Sequence, residues 1–237
     1  MSVKHTIKIA MVGLLLSSAL PLWAQRGAGF NARRGMGDGT CQNLIDAVPM
    51  SDLNATETNQ LTFLREEEKL ARDVYMALSS KWGARIFWNI SLSEDRHTNA
   101  LKLLLDRYGL LDPAEGKAAG VFSDPDLQSL YEYLVDSGEL SLLEALRAGV
   151  YIEYLDYLDL KEALENTDND DLKMVYGNLQ DGTRNHMRAF VFQLESMGES
   201  YDSELIDPAI LEEILSTSRA SGMGFGGKRN ASRTMGR

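Results

Sequence analysis

Four stretches of this chain repeat apolar residues at alternating three- and four-residue steps, and each stripe is broken near its midpoint by a carboxylate or an imidazole. Apolar residues at that spacing share one face of an α-helix, and four such faces bury one another most simply as a bundle. The first stripe reads Leu61, Leu64, Glu68, Ala71, Tyr75, Leu78, Trp82, and the second Phe87, Ile90, Glu94, His97, Leu101, Leu104, Tyr108. The third reads Leu142, Leu146, Gly149, Glu153, Asp156, Leu160, Ala163. The fourth is less regular, with Leu172, Val175, Leu179, Gly182, His186 and Ala189. If neighbours run antiparallel, the polar interruptions of all four meet at one level.

The spacing predicts helices over about 57–81, 85–108, 141–165 and 168–197, with Ser51 or Thr56 available as the first cap and Gly83, Gly109 and Gly198 as stops. The first and second helices, and the third and fourth, are joined by short connections that imply antiparallel pairs. Between the second and third lies a long connection with Asp112-Pro113, Asp124-Pro125 and a short extra helix over about 125–135, ended by Gly138. The expected fold is all-α, a four-helix bundle with one long crossover that contains this extra helix.

The polar level sets the chemistry. A buried, unpaired carboxylate costs several kcal/mol even after relaxation. Four of them (Glu68, Glu94, Glu153 and Asp156) would together exceed the ~5–15 kcal/mol stability of a typical domain. Arg65, Arg72, Arg96 and Arg184 fall on other faces. Two divalent cations would balance the four charges, and oxygen ligands with two imidazoles suit iron or manganese best, with zinc a further option. Protonated carboxylates, or a polar stripe open to water, are the alternatives. Glu66 and Glu67 are expected to be solvated, Tyr75 and Tyr108 to pack with one hydrogen bond each, and residues 168–171 to cap the fourth helix. Tyr151, Tyr154 and Tyr157 read as one packed flank.

Outside these helices the chain is informative in a different way. Lys4 and Lys8, a mostly apolar run over 9–22 and Ala24 have the layout of a secretory signal peptide, too short for a comfortable membrane span. Cleavage near Ala24 would give a periplasmic or secreted protein with no stable membrane insertion, and would remove His5. Residues 25–55 are then a flexible Gly/Arg-rich segment, 56–198 the helical domain, and 199–237 an extension with a second Gly/Arg-rich tail. A net charge of -11 argues against a nucleic-acid partner. The single cysteine, Cys41, cannot form an internal disulfide or a four-thiolate metal module and is expected to be an exposed thiol. Asn-x-Ser/Thr triplets at Asn54, Asn89 and Asn230 are read as chance matches.

The motifs REEEKLARDVY, SEDRH, DRYGL, IEYLDYLDL and NLQDGTRNHMRAF, in that order over about residues 61–198, resemble a prokaryotic ferritin-like domain family of unknown function within the ferritin and rubrerythrin-like di-iron superfamily. The resemblance implies Glu68, Glu94, His97, Glu153 and His186 as ligands of two metal ions, with Asp156 a further candidate. Such sites usually carry a second Glu-x-x-His, and here Thr183 stands three residues before His186. Either Asp156 replaces that carboxylate, or the second ion is weakly held or absent. The function implied is reduction of peroxide or oxygen at a di-iron or di-manganese centre. Electrons would come from an external donor, because one cysteine excludes the fused four-cysteine donor of rubrerythrins. No catalytic residue is assigned. The rival expectations are a non-catalytic protein that sequesters or senses iron in the periplasm, and a structural or partner-binding bundle with a degenerate site. Ferritin-like chains assemble as dimers or cages, so a homo-oligomer is compatible with either class.

Overall fold

A computed structural model describes residues 38–201 and 205–217, with side chains from Cys41 onward. The proposed signal segment, His5, the tail over 218–237 and the Asn230 triplet lie outside the described residues. Those described form seven α-helices and no strand, as expected for an all-α chain. They are α1 (Asp38–Asp46), α2 (Ala55–Trp82), α3 (Arg85–Arg107), α4 (Pro125–Gly138), α5 (Leu142–Glu165), α6 (Asp170–Ser196) and α7 (Pro208–Ser216).

Each long helix begins and ends for a local reason. α2 starts at Asn54, whose Oδ1 accepts from the backbone N–H of Thr56 and Glu57 at 2.8 and 3.0 Å. Glu57 Oε2 accepts in return from the Asn54 N–H at 2.8 Å, so the cap is reciprocal and displaces the Ser51 or Thr56 expected. The helix stops at Gly83, which takes φ 64° and donates to Ser79 O at 2.9 Å. Only Gly83 and Ala84 then separate α2 from α3, which forces the chain to double back. α5 starts at Ser141, whose Oγ accepts from Glu144 N at 3.1 Å.

α2 packs on α3 and α5, and α6 packs on α5 and α3, so the four long helices contact one another in a ring. Inside the ring, one end is filled by Leu61, Leu64, Leu101, Leu104, Leu160, Leu172, Val175 and Leu179. Towards the other end Tyr75, Phe87 and Phe190 form a ring-on-ring cluster with centroids 5.3–6.3 Å apart. The polar interruptions occupy the level between these apolar layers.

The crossover between α3 and α5 is held by the outer face of α2. Arg65 donates through Nε and Nη2 to Asp112 at 3.1 and 2.9 Å. Lys69 Nζ donates to Asp73 and to the carbonyls of Ala118 and Val121, and sits 4.3 Å above the Phe122 ring. Glu66, expected in solvent, is buried and accepts from the N–H groups of Ser123 and Asp124 at the start of α4. The expectation fails because a helical period identifies the face towards the bundle and is silent about a loop that later covers the opposite face.

Three further expectations change. Residues 38–46, within the stretch read as flexible, form α1, and Cys41 is buried with Ile45 against α3 and its neighbours instead of exposed. α7 was not anticipated; Tyr157 donates to Glu213, Arg188 donates to Ile214 O at 2.7 Å, and the N–H of Asp207 donates to Tyr154 OH, which ties α7 to α5 and α6. The cap expected from residues 168–171 lacks a side-chain bond at Asn169, while Asp171 in the first turn is fully buried and accepts from Leu172 N at 2.9 Å and from Tyr108 OH at 2.8 Å. No helix among the described residues is long and apolar enough to cross a membrane. The Asn54 triplet is a helix cap and Asn89 lies within α3.

Candidate metal centre

α3 supplies Glu94 and His97, one turn apart on one face, and the other three long helices supply the rest: Glu68 from α2, Glu153 and Asp156 from α5, His186 from α6. The structure brings all six into the polar level. His97 Nδ1 lies 2.7 Å from Glu94 Oε2 and 3.2 Å from Glu68 Oε2. His186 Nδ1 lies 2.7 Å from Glu94 Oε1 and 3.4 Å from Glu153 Oε2. Glu94 is therefore shared, with one oxygen on each histidine. The two imidazole rings stack with centroids 5.5 Å apart.

Two triads follow, Glu68–Glu94–His97 and Glu94–Glu153–His186, each with donor atoms close enough to hold one ion. Asp156 belongs to neither. It accepts instead from the hydroxyl of Thr183, the residue at the position where a glutamate is usual. The carboxylate side chains are at most 2% exposed in the triads, whereas His97 and His186 are 9% and 11% exposed. Along the α3–α6 seam runs an open groove of ≈ 820 Å³ lined by Ile86, Ile90, Ala189 and Phe192, with Arg85 and Arg188 at its sides. Ile90 and Ala189 sit one helical turn from Glu94 and His186.

Two neighbours set the geometry. Tyr75, fully buried, donates its hydroxyl to Glu153 Oε1 at 2.6 Å. Gly182 gives His97 its seat, because a Cβ there would lie 2.8 Å from the ring atoms Cε1 and Nε2. Gly182 was visible in the sequence as a gap in the inner stripe, but its role was not.

The electrostatics are those of an anionic site with too few cations. Burial raises Glu68 to about 8, although His97 beside it pulls the other way. Burial also raises Glu153 and, helped by Glu68 and Glu153, raises Asp156 well above the usual carboxylate range. Glu94 behaves oppositely: burial would raise it, but His186 and His97 together draw it below the ordinary range. Burial would lower the histidines, yet Glu94 and Glu153 bring His186 up to about 10, and Glu68 and Glu94 lift His97 well above its normal value. Glu67, expected in solvent, is buried beside the site and is raised by burial and by Asp159 and Asp156.

Several buried atoms are left without a hydrogen-bond partner: Glu67 Oε2, Glu68 Oε1, Glu94 Oε1, Asp156 Oδ1 and His186 Nδ1. Of these, Glu94 Oε1 and His186 Nδ1 face one another as an ion pair at 2.7 Å, which leaves the Glu67, Glu68 and Asp156 oxygens as the bare ones. Buried carboxylate oxygens with unused lone pairs, beside two imidazoles and converging from four helices, form a set that could hold a transition-metal ion. The residues present fit such an ion at both triads.

Comparison with known proteins places the chain in a family. Residues 57–218 match the uncharacterized protein domain DUF2202, and the chain belongs to that family. It is 45% identical over 179 residues to the uncharacterized protein MJ0754 of Methanocaldococcus jannaschii, covering 76% of this chain and 97% of that protein. The crystal structure of the hypothetical protein MJ0754 from Methanococcus jannaschii superposes with a TM-score of 0.70, covering 73% of this chain and 99% of that one. The match extends past the 61–198 stretch of motifs to include α7.

Proposed function

We propose that this member of the DUF2202 family is an exported, ferritin-like four-helix metalloprotein whose dinuclear carboxylate–histidine centre reduces peroxide or oxygen. The observation that carries the reading is Glu94, whose two oxygens reach two histidines from different helices and so join two ligand triads into one site. Iron is the favoured metal, with manganese and then zinc next, on the basis of oxygen-rich ligation with one imidazole per ion.

When bound, a redox-active pair supplies the electrons and the Lewis acidity that reduction of an O–O bond requires. The protein's own residues do the rest. Glu68 and His97 hold one side, Glu153 and His186 the other, and Glu94 spans them. Tyr75 fixes Glu153, and the apolar layers above and below shield the level from water. Three protein ligands per ion leave positions for a small oxidant, which favours turnover over closed storage. Reduction of peroxide to two waters takes two electrons and two protons, and the electrons come from an external donor. Export is supported by Lys4, Lys8 and the apolar run before Ala24.

Elemental analysis of the mature protein from its native compartment tests the reading. The expected content is about two ions per chain, with consumption of peroxide over many turnovers in the presence of a reductant. Glu94→Ala is expected to weaken both ions, and Glu68→Ala only one, each by roughly tenfold or more. Metal bound without turnover would leave a sequestering protein, and full occupancy in Glu94→Ala would end the dinuclear assignment.

A further inference from the structure

Thr183 occupies the place, three residues before His186, from which the general pattern of such sites sends a bridging glutamate. It is fully buried. Its hydroxyl donates to Asp156 Oδ2 on α5, with the carbonyl of Leu179 at 3.1 Å as a second acceptor. A hydroxyl has one proton to give, and an aspartate oxygen is the stronger acceptor of the two once it is ionised. The other oxygen, Asp156 Oδ1, is buried and has no partner.

The surroundings of that free oxygen are specific. Asp156 stands one turn along α5 from Glu153, and the charges acting on it include Glu68, Glu153 and Glu94, which come from both triads. Asp156 belongs to neither triad by itself. A carboxylate clamped on one oxygen, with the other bare among three more carboxylates, is satisfied by a proton of its own or by a cation that displaces it.

We propose that Thr183 is a positioning residue that holds Asp156 as a further carboxylate of the centre, so that an α5 aspartate takes the place of the α6 glutamate. The inference rests on the dinuclear reading above. A glutamate at position 183 would carry its own carboxylate inward from α6. Here the short hydroxyl side chain reaches only as far as a carboxylate offered from the neighbouring helix.

The test is anaerobic titration of the full-length mature protein with Mn(II), read as stoichiometry and chelator competition, with the magnetic coupling of the two ions measured by electron paramagnetic resonance. Wild type takes two coupled ions. Thr183→Val keeps one and binds the second roughly tenfold or more weakly, with the coupling lost or reduced. Asp156→Asn behaves likewise, and the double variant is no worse than Asp156→Asn alone, because the two residues act as one unit. Thr183→Ser, which keeps the hydroxyl, retains both ions. Circular dichroism confirms that helix content is unchanged in each variant. Two coupled ions at wild-type affinity in Thr183→Val or in Asp156→Asn would overturn this inference while leaving the dinuclear reading intact. Additive losses in the double variant would overturn it as well. Wild type that takes fewer than two ions overturns the dinuclear reading itself, and this inference with it.

Discussion

Adding one methyl group at Gly182 should separate metal binding from folding. A Cβ at that position would sit 2.8 Å from Cε1 and Nε2 of His97, where ordinary contact begins near 3.4 Å, so the ring must retreat by about 0.6 Å (3.4 − 2.8). It has no room to do so freely. On its far side His97 Nδ1 is 2.7 Å from Glu94 and 3.2 Å from Glu68. Overpacking of this kind costs ~1–3 kcal/mol, and replacing a mid-helix glycine by alanine returns ~1 kcal/mol, which leaves a net loss of ~0–2 kcal/mol. For a domain of this size that lowers Tm by about 0–8 °C. Metal affinity is far less tolerant, because ligand distances must hold to about ±0.2 Å. Gly182→Ala is therefore expected to stay folded and to lose roughly tenfold or more in affinity for the ion at His97. The assay is a thermal melt of the metal-free protein beside a chelator-competition titration. Wild-type affinity in this variant would refute the claim that His97 ligates from the pose seen against α6.

Other outcomes follow from the same geometry. In the metal-free protein Glu68 is raised to about 8 and His186 to about 10, so between the unfolded values and these the folded state holds more protons than the unfolded state. Stability without metal should fall as pH rises from about 5 through 10, and it should fall again at acid pH, where the depressed Glu94 gains a proton; urea midpoints across that range check both arms. Burial pushes the Cys41 thiol up to about 11, so a thiol reagent at pH 8 should label native protein very slowly and unfolded protein fast, as mass spectrometry would show. Tyr75→Phe removes the donor to Glu153, which should cost the metal-free fold about 1–3 kcal/mol and weaken the ion at Glu153 and His186 while sparing the one at Glu68 and His97. A two-step metal titration distinguishes the two sites.

Much of this site was readable because it obeys the helical period. Glu68, Glu94, His97, Glu153 and His186 each break an apolar stripe at the same depth, and periodicity alone places them face to face. What the period does not encode is what lies against the opposite faces. Glu66 and Glu67 are adjacent to Glu68 in the chain and have the same composition, yet one closes the crossover and the other lies beside Asp156 and Asp159. The path of residues 109–124, which has no periodic signal, decides the first, and the packing of α5 against α2 decides the second. α7 did leave a signal: Asp207 followed by Pro208 is a helix start, and Ile210, Leu211 and Ile214 share a face. Its nine residues were masked by the polar sequence on either side. α1 was hidden similarly, by the glycines before Cys41.

The protonation of the site explains how so many acids can share one buried level. Glu68, Glu153, Asp156 and Glu67 are all raised, His97 and His186 are raised too, and Glu94 alone is depressed. That pattern describes one glutamate held ionised between two histidines, with the remaining carboxyls shifted towards their protonated forms. Protons thus do, in the metal-free protein, the neutralising that divalent cations would do in the loaded one, and at nearly the same places. This removes the objection that a polar layer between two apolar layers must cost more than the fold can bear. It also fits a metal site better than a structural ion-pair network, since a network settled for good would have paired its carboxylates with arginine or lysine. Arg65, Lys69 and Arg72 of α2 pair instead with Asp112, Asp73 and Asp95 outside the ring. The groups inside are left with exchangeable protons as their counterions, the condition under which a metal ion can take their place.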